Sequence, residues 1–465
     1  MSQFSDKQLI RTFNQDKQNL EQSEIPIVTV SATFQEDLKG AYNLPESDLE
    51  TDVVFSRAHY SMAFGVLNQA WQTRIDPIKA WMVDPTNYVA LKNWKSVKFT
   101  EFVGKTLARI PLLKKLKDLA DKFARNSLPI LESITPPLLE LTENIQKPIL
   151  SFHIAAGNIL LENGKKVIEM VTDPHVREDY LNHAENPNLT YLVFDQTTKK
   201  ELIKKAASLN KTVEPERIIV TGPPVDPRII NCRQYKQPWQ PEQNRPLRLC
   251  LTTGGLGTNK PEIKKILQQL LPQVQQNPNK YQILIYAGTH LDIAEMCKKL
   301  SLNHGINPHL ISPHDPAQFT MGKNIIQPDK QTAEKELHQQ SVSLIYHPQI
   351  VDANELLIKY AFPWADGFIS KPSGDMAYDS VASGNFLLTL KEWGEWEHNI
   401  RQIFTQEGVA LPAEVDNFVQ QIEELSTSTQ TTPAWITVAM QKAQNIDYLY
   451  LSGAKNIVTV ALQAT

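Results

Sequence analysis

Short apolar runs recur along the chain at residues 25–31, 149–153, 166–172, 190–194, 217–221, 247–252, 282–286, 342–346, 367–369 and 386–390. They are rich in Ile, Leu and Val, and few of them alternate with polar residues. Strands that are apolar on both faces belong in parallel sheets covered on both sides. Between the runs lie longer stretches of helical periodicity. One is PEIKKILQQLLPQV at 261–274, where Pro261 suits a first helical turn. This alternation predicts an α/β protein layered around parallel sheets. The segment NCRQYKQPWQPEQNRP at 231–246 is rich in Pro, Gln and Asn and has no apolar period, so it divides the pattern into two halves. The second half is complete near residue 412, and a Ser/Thr-rich hinge at 426–432 leads into a last segment, 433–462. The expected organisation is 1–240, 241–430 and a terminal 431–465, with a helical insertion at about 85–147 in the first part.

Composition narrows the class without naming a function. The chain has 465 residues, 41% of them hydrophobic and 21% charged, as in an ordinary globular protein. Its 47 basic and 51 acidic residues give a net charge of −4, which argues against a nucleic-acid partner held by overall charge. No run approaches the roughly 18 uncharged apolar residues of a membrane span. The first 24 residues are polar and lack the apolar core of a signal peptide. The 3 cysteines (Cys232, Cys250, Cys297) exclude a disulfide scaffold and suit a reducing cytoplasm. One segment departs from the average: residues 92–125 hold ten Lys/Arg against three acids, a local +7, with Trp94, Phe99, Phe102 and several leucines interleaved. A basic amphipathic helix with aromatics can lie on an anionic membrane surface, and it can equally cover a core with one face and meet water with the other.

Several constellations could carry chemistry. LTTGGLGTNK at 251–260 follows a strand and opens a helix, and small residues there let backbone N–H groups approach a phosphate. It is neither a P-loop nor a complete dinucleotide fingerprint, because Lys260 stands where a third glycine would be. In ADGFISKPSGDMAYDS (365–380) a strand runs into a small-residue turn and then a helix, so that Lys371 and the helix start would face an anion and Asp379 lies one turn further in. EWGEWEHN at 392–399 is a polar and aromatic loop suited to a sugar. FSRAHYSMAFG at 55–65 leads into an apolar helix, placing His59 where an imidazole can serve as a general base or simply pack. VTDPH at 171–175 sets a carboxylate and an imidazole at the carboxyl end of a strand, where open α/β sheets bind ligands. TGPPVDPR at 221–228 is a proline-locked strand exit. His304, His309 and His314 share no helical face and no cysteine pair supports them, so no metal site is expected.

In this order and spacing, the pieces resemble the two-domain GT-B glycosyltransferases, in particular the branch of the monogalactosyldiacylglycerol synthases and the N-acetylglucosaminyltransferase of peptidoglycan precursor synthesis. The likeness is carried by the helix start at His59, Thr172-Asp173, VTGPPVDPR (220–228), TTGGLG (252–257), AD…KPSG (365–374) and GEWEHN (394–399), and it spans roughly residues 25–84 and 148–412. It implies two Rossmann-like domains facing across a cleft, with a terminal helix crossing back to the first. It also implies inverting transfer of a hexose-type sugar from a UDP-sugar, without metal or other cofactor. In that scheme His59 is the base, with Asp173 second. Arg57, Ser61, His175 and Gly222 lie on the acceptor side. Gly254, Gly255, Gly257, Lys371, Ser373 and Gly374 support the diphosphate, Asp379 takes the ribose where the family carries Glu, and Glu397 and Asn399 meet the donor sugar. The basic segment 92–125 points to a lipid or membrane-proximal acceptor and to attachment at the inner face of the membrane. Two other readings share the fold: a nucleotide-sugar 2-epimerase, and a nucleotide-binding module without turnover, the latter suggested by Met376 and Asp375 at the donor helix.

Overall fold

The computed structural model describes residues 7–34, 52–109, 129–243, 245–311, 326–337 and 340–464. The chain forms two compact units, one running to Asp226 and resuming at Leu451, the other taking in Pro227 to Tyr450. Each is built on one parallel sheet, the α/β arrangement that the apolar runs predict.

The first sheet contains β1 (Ile25–Val28), β2 (Ala80–Val83), β3 (Ile149–Ser151), β4 (Val167–Met170), β5 (Leu189–Val193) and β6 (Ile218–Val220), in the order β2-β1-β3-β4-β5-β6. The helices Arg57–Trp71, Ile154–Glu162 and Gln196–Ser208 carry the chain between neighbouring parallel strands. The polar first residues contain the helix Lys7–Gln22, which buries Leu9, Phe13 and Leu20 together with Asp16. The Asp16 carboxylate accepts from Trp81 Nε1 at 3.2 Å and Tyr88 Oη at 2.5 Å, so a buried charge is matched by two donors. The last helix, Leu449–Gln463, belongs to this unit from Leu451 onward. A side chain at Gly453 would lie 2.0 Å from the Pro223 carbonyl oxygen, and Asn456 Nδ2 donates to Thr221 O at 2.8 Å. On the same proline-locked segment, a Cβ at Gly65 would stand 2.7 Å from Pro224 O, while Asn68 Nδ2 donates to Asp226 Oδ2 at 2.8 Å.

The second sheet contains β7 (Leu247–Thr252), β8 (Tyr281–Gly288), β9 (His309–Ile311), β10 (Val342–Tyr346), β11 (Gly367–Ser370), β12 (Phe386–Thr389) and β13 (Ala410–Pro412), in the order β13-β12-β11-β7-β8-β10-β9. The helix Lys260–Gln276 turns Ile263, Ile266, Leu267, Leu270, Leu271 and Val274 into the core, as its period predicts. A bidentate pair from Arg228 to Glu355, at 2.6 and 2.9 Å, is almost wholly buried in this unit.

Of the basic segment 92–125, the helix Trp94–Arg109 is described, and residues 110–125 lie outside the described residues. Trp94 and Val97 are buried, and Glu101 Oε1 accepts from Val54 N at 3.0 Å. Phe99 and Phe102 face outward, 61% and 66% exposed. His314 also lies outside the described residues. Among the described residues, no helix is long and apolar enough to cross a membrane, and no group of three or more His, Cys, Asp or Glu could hold a metal ion.

Candidate functional site

In an open α/β sheet, ligands collect at the carboxyl ends of the strands where the strand order reverses. In the first sheet that point lies between β1 and β3. There Asp84 ties down the loops after β1 and β2. It accepts from Ser31 N at 2.7 Å, Ser31 Oγ at 3.0 Å, Ala32 N at 3.1 Å, Thr86 N at 3.0 Å and Thr86 Oγ1 at 2.7 Å. His59 stands in the first turn of the helix Arg57–Trp71, whose start is capped by Ser56 Oγ accepting from His59 N at 3.3 Å. Its Nε2 lies 3.3 Å from Thr172 Oγ1, and Thr172 Oγ1 in turn lies 3.4 Å from Tyr180 Oη.

A second imidazole stands beside it. His153 follows β3 and caps the helix Ile154–Glu162 with Nδ1, which accepts from Ala155 N at 3.2 Å. The rings of His59 and His153 meet edge to face with centroids 5.0 Å apart. The cap requires a bare Nδ1, so the His153 proton sits on Nε2. Sequence reasoning missed His153 because it ends an apolar run and reads as the last strand residue; its signal was a histidine directly before a helix.

The other first-unit candidates have local partners. Asp173 faces the Arg177 guanidinium, as do Asp179 and Tyr180. His175 Nδ1 is 3.1 Å from Glu201 Oε1 on the helix Gln196–Ser208. The Ser61 hydroxyl donates to Ala58 O at 3.1 Å, and Arg57 is buried. Gly222 has φ +87°, a backbone geometry that favours glycine at this exit. Beneath the His153 helix, the Glu169 side chain reaches Gly157, where an added Cβ would stand 2.0 Å from Oε2. Burial pushes the Glu169 carboxyl up to about 8, against the pull of the Ser151 hydroxyl and Arg177.

The reversal point of the second sheet lies between β7 and β11, whose ends are joined by Thr252 Oγ1 donating to Ser370 Oγ at 2.7 Å. Both motifs expected to meet an anion start here. In the glycine turn, Gly257 has φ +64° and its N–H donates to Gly254 O at 2.8 Å. His290 Nε2 holds the Gly255 carbonyl at 3.1 Å. Lys260 pairs with Asp292 at 2.7 Å. The Lys371 stem runs along Gly254 so closely that a Cβ there would lie 3.1 Å from its Cδ. Its ammonium forms an ion pair with Glu397 and lies 5.8 Å from the centre of the Trp393 ring. Ser373 Oγ donates to Asp375 Oδ1 at 2.6 Å and accepts from Met376 N at 3.3 Å, at the start of the helix Met376–Ala382. Gly374 and Asp379 are buried, and Asn399 is half-buried on the helix Glu395–Gln406. A glycine turn and one lysine thus meet at the strand ends, which suits a phosphate-bearing ligand.

The family described as "Domain of unknown function (DUF6938)" matches residues 226–462, about half of the chain. The chain belongs to this family. No curated protein matches its sequence. Among solved structures, the α,α-trehalose 6-phosphate synthase of Burkholderia multivorans aligns with a TM-score of 0.50 at 12% identity, covering 95% of this chain and 98% of that one. MurG of Acinetobacter baumannii aligns at 0.47 and 10% identity, covering 94% and 99%. The UDP-GlcNAc 2-epimerase of Neisseria meningitidis, solved with UDP-GlcNAc bound, aligns at 0.46 and 13% identity, covering 88% and 98%. The likeness to the synthase is one of fold. With the two parallel sheets and a last helix that rejoins the first unit, this member of the family has the GT-B fold.

Proposed function

We propose that the chain is a glycosyltransferase that moves a hexose-type sugar from a UDP-sugar to an acceptor hydroxyl, by inversion and without a metal. The observation that carries this reading is the meeting of the glycine turn, Lys371 and the start of the helix Met376–Ala382 at the β7/β11 reversal point. Transfer needs a group to hold the leaving diphosphate and a base for the acceptor. Gly254, Gly255, Gly257, Lys371, Ser373 and Gly374 serve the diphosphate, Asp379 the ribose and Asn399 the sugar. His59 takes the acceptor proton on Nε2, with Thr172 and His153 fixing the ring; Asp173, Arg57, Ser61, His175 and Gly222 border the acceptor.

The acceptor is a lipid or membrane-proximal molecule, and the outward Phe99 and Phe102 on a lysine-bearing helix are the contact to an anionic membrane. Isothermal titration with UDP, GDP, dTDP and ADP tests the donor side. UDP binding with turnover of a UDP-sugar supports the reading, binding without turnover across an acceptor screen leaves a nucleotide-binding module, and no binding rejects it. Co-sedimentation with vesicles containing anionic lipid tests the membrane contact, which is dropped if the protein stays in the supernatant.

A further inference from the structure

We propose that Glu397 is a positioning residue that holds the Lys371 ammonium in place of an anionic ligand, so that a nucleoside diphosphate binds in competition with it. This rests on the reading of the second unit as the donor site, and it gives Glu397 a different task from the sugar contact that the GT-B resemblance implies. The Lys371 side chain is 11% exposed and that of Glu397 is 1% exposed, so their ion pair is nearly out of water. The second carboxylate oxygen accepts from Trp393 N at 2.6 Å, so Glu397 also fixes the loop ahead of its own helix. The Lys371 stem lies on Gly254 and its ammonium near the Trp393 ring. One side chain therefore joins the loop after β7, the loop after β11 and the first turn of the helix Glu395–Gln406.

Electrostatics gives this arrangement a direction. Removing one partner of a buried ion pair leaves the other charge uncompensated. With Glu397 neutralised, the lysine keeps a full charge that an incoming phosphate can satisfy. With Glu397 ionised, that attraction is largely cancelled before any ligand arrives. The carboxylate thus weakens diphosphate binding while it stabilises the free protein. A sugar-contacting Glu397 behaves differently: its loss would weaken a UDP-sugar and leave UDP unaffected.

The experiment is titration of the full chain with UDP at fixed salt. Glu397→Gln is expected to bind UDP at least tenfold more tightly than the unmodified protein. Free of ligand it melts at a lower temperature, and UDP raises its Tm by more than it raises that of the unmodified chain. Glu397→Asp keeps the charge but draws it back from the lysine, and about threefold tighter binding is expected; this variant decides the matter if the Gln variant does not fold. Unchanged or weaker UDP affinity in these variants, with binding by the unmodified chain intact, overturns the proposal and leaves the donor-site reading standing. Failure of the unmodified chain to bind UDP, GDP, dTDP and ADP overturns both.

Discussion

At the β1/β3 reversal point, helix caps and a threonine hydroxyl hold the two imidazoles, and the buried Asp84 carboxyl ties down the neighbouring loops. Ser56 caps one helix, the bare Nδ1 of His153 caps another, and His59 faces a threonine hydroxyl. The carboxyl beneath the second helix, Glu169, is pushed up to about 8 and is therefore mostly protonated at neutral pH. At the β7/β11 reversal point, a mostly buried lysine side chain is paired with a buried carboxylate instead. The same topological position thus holds a pair of imidazoles in one unit and a lysine–glutamate ion pair in the other. The function proposed above assigns the acceptor proton to the first of these and the diphosphate to the second.

The sharpest way to break the contrast is His59→Ala. If the first unit supplies the base, transfer falls by about 10²- to 10⁴-fold, while UDP affinity stays within about twofold. Steady-state kinetics alongside titration checks this, and a near-normal rate would place the base elsewhere. Lys371→Met tests the other half: UDP affinity is expected to drop about 100-fold, the scale of a lost charge-assisted hydrogen bond. A drop of less than threefold removes Lys371 from the diphosphate.

Glu169→Gln tests the protonated state of the carboxyl beneath the His153 helix. The folded pKa of Glu169 lies above the 4.5 of an ordinary glutamate, so its favourable contribution is complete below about pH 4.5 and is lost as pH rises through about 8. The Gln variant should therefore gain stability over the parent across that window, by on the order of 4 kcal/mol at pH 8, and match it near pH 4. Urea melts at the two pH values read the difference, and an equal gain at both would refute the assignment. The smallest effect belongs to Ser56→Ala, which removes the cap at His59 and costs about 1 kcal/mol in the same melts. Its pH profile of transfer should move with it if the cap aims the imidazole.

Much of the fold was legible because short apolar runs without alternation suit strands covered on both faces and little else. Each run read as a strand is a strand in the structure. The strands absent from that reading are β2, β9 and β13, which end their sheets. They are short, and β13 even closes on Pro412, which an edge position tolerates. The candidate residues were legible one motif at a time: the glycine turn and Lys371 stand at strand-to-helix turns, and His59 stands in the first turn of a helix. Two relationships were not. The pairing of Lys371 with Glu397 depends on two loops meeting, and the His59–His153 contact depends on β1 and β3 being neighbours although distant in sequence. Spacing along a chain carries neither.

The return of the last helix to the first unit has a consequence for biosynthesis. Gly453 and Asn456 pack on the Thr221–Pro223 exit, so the first unit contains segments from both sides of the second in sequence. The second unit, whose described residues all fall between those segments, leaves the ribosome whole before the first has received its final helix. Order of synthesis and order of completion are then reversed: the unit that starts first is completed after the second, once the helix that rejoins it has been made.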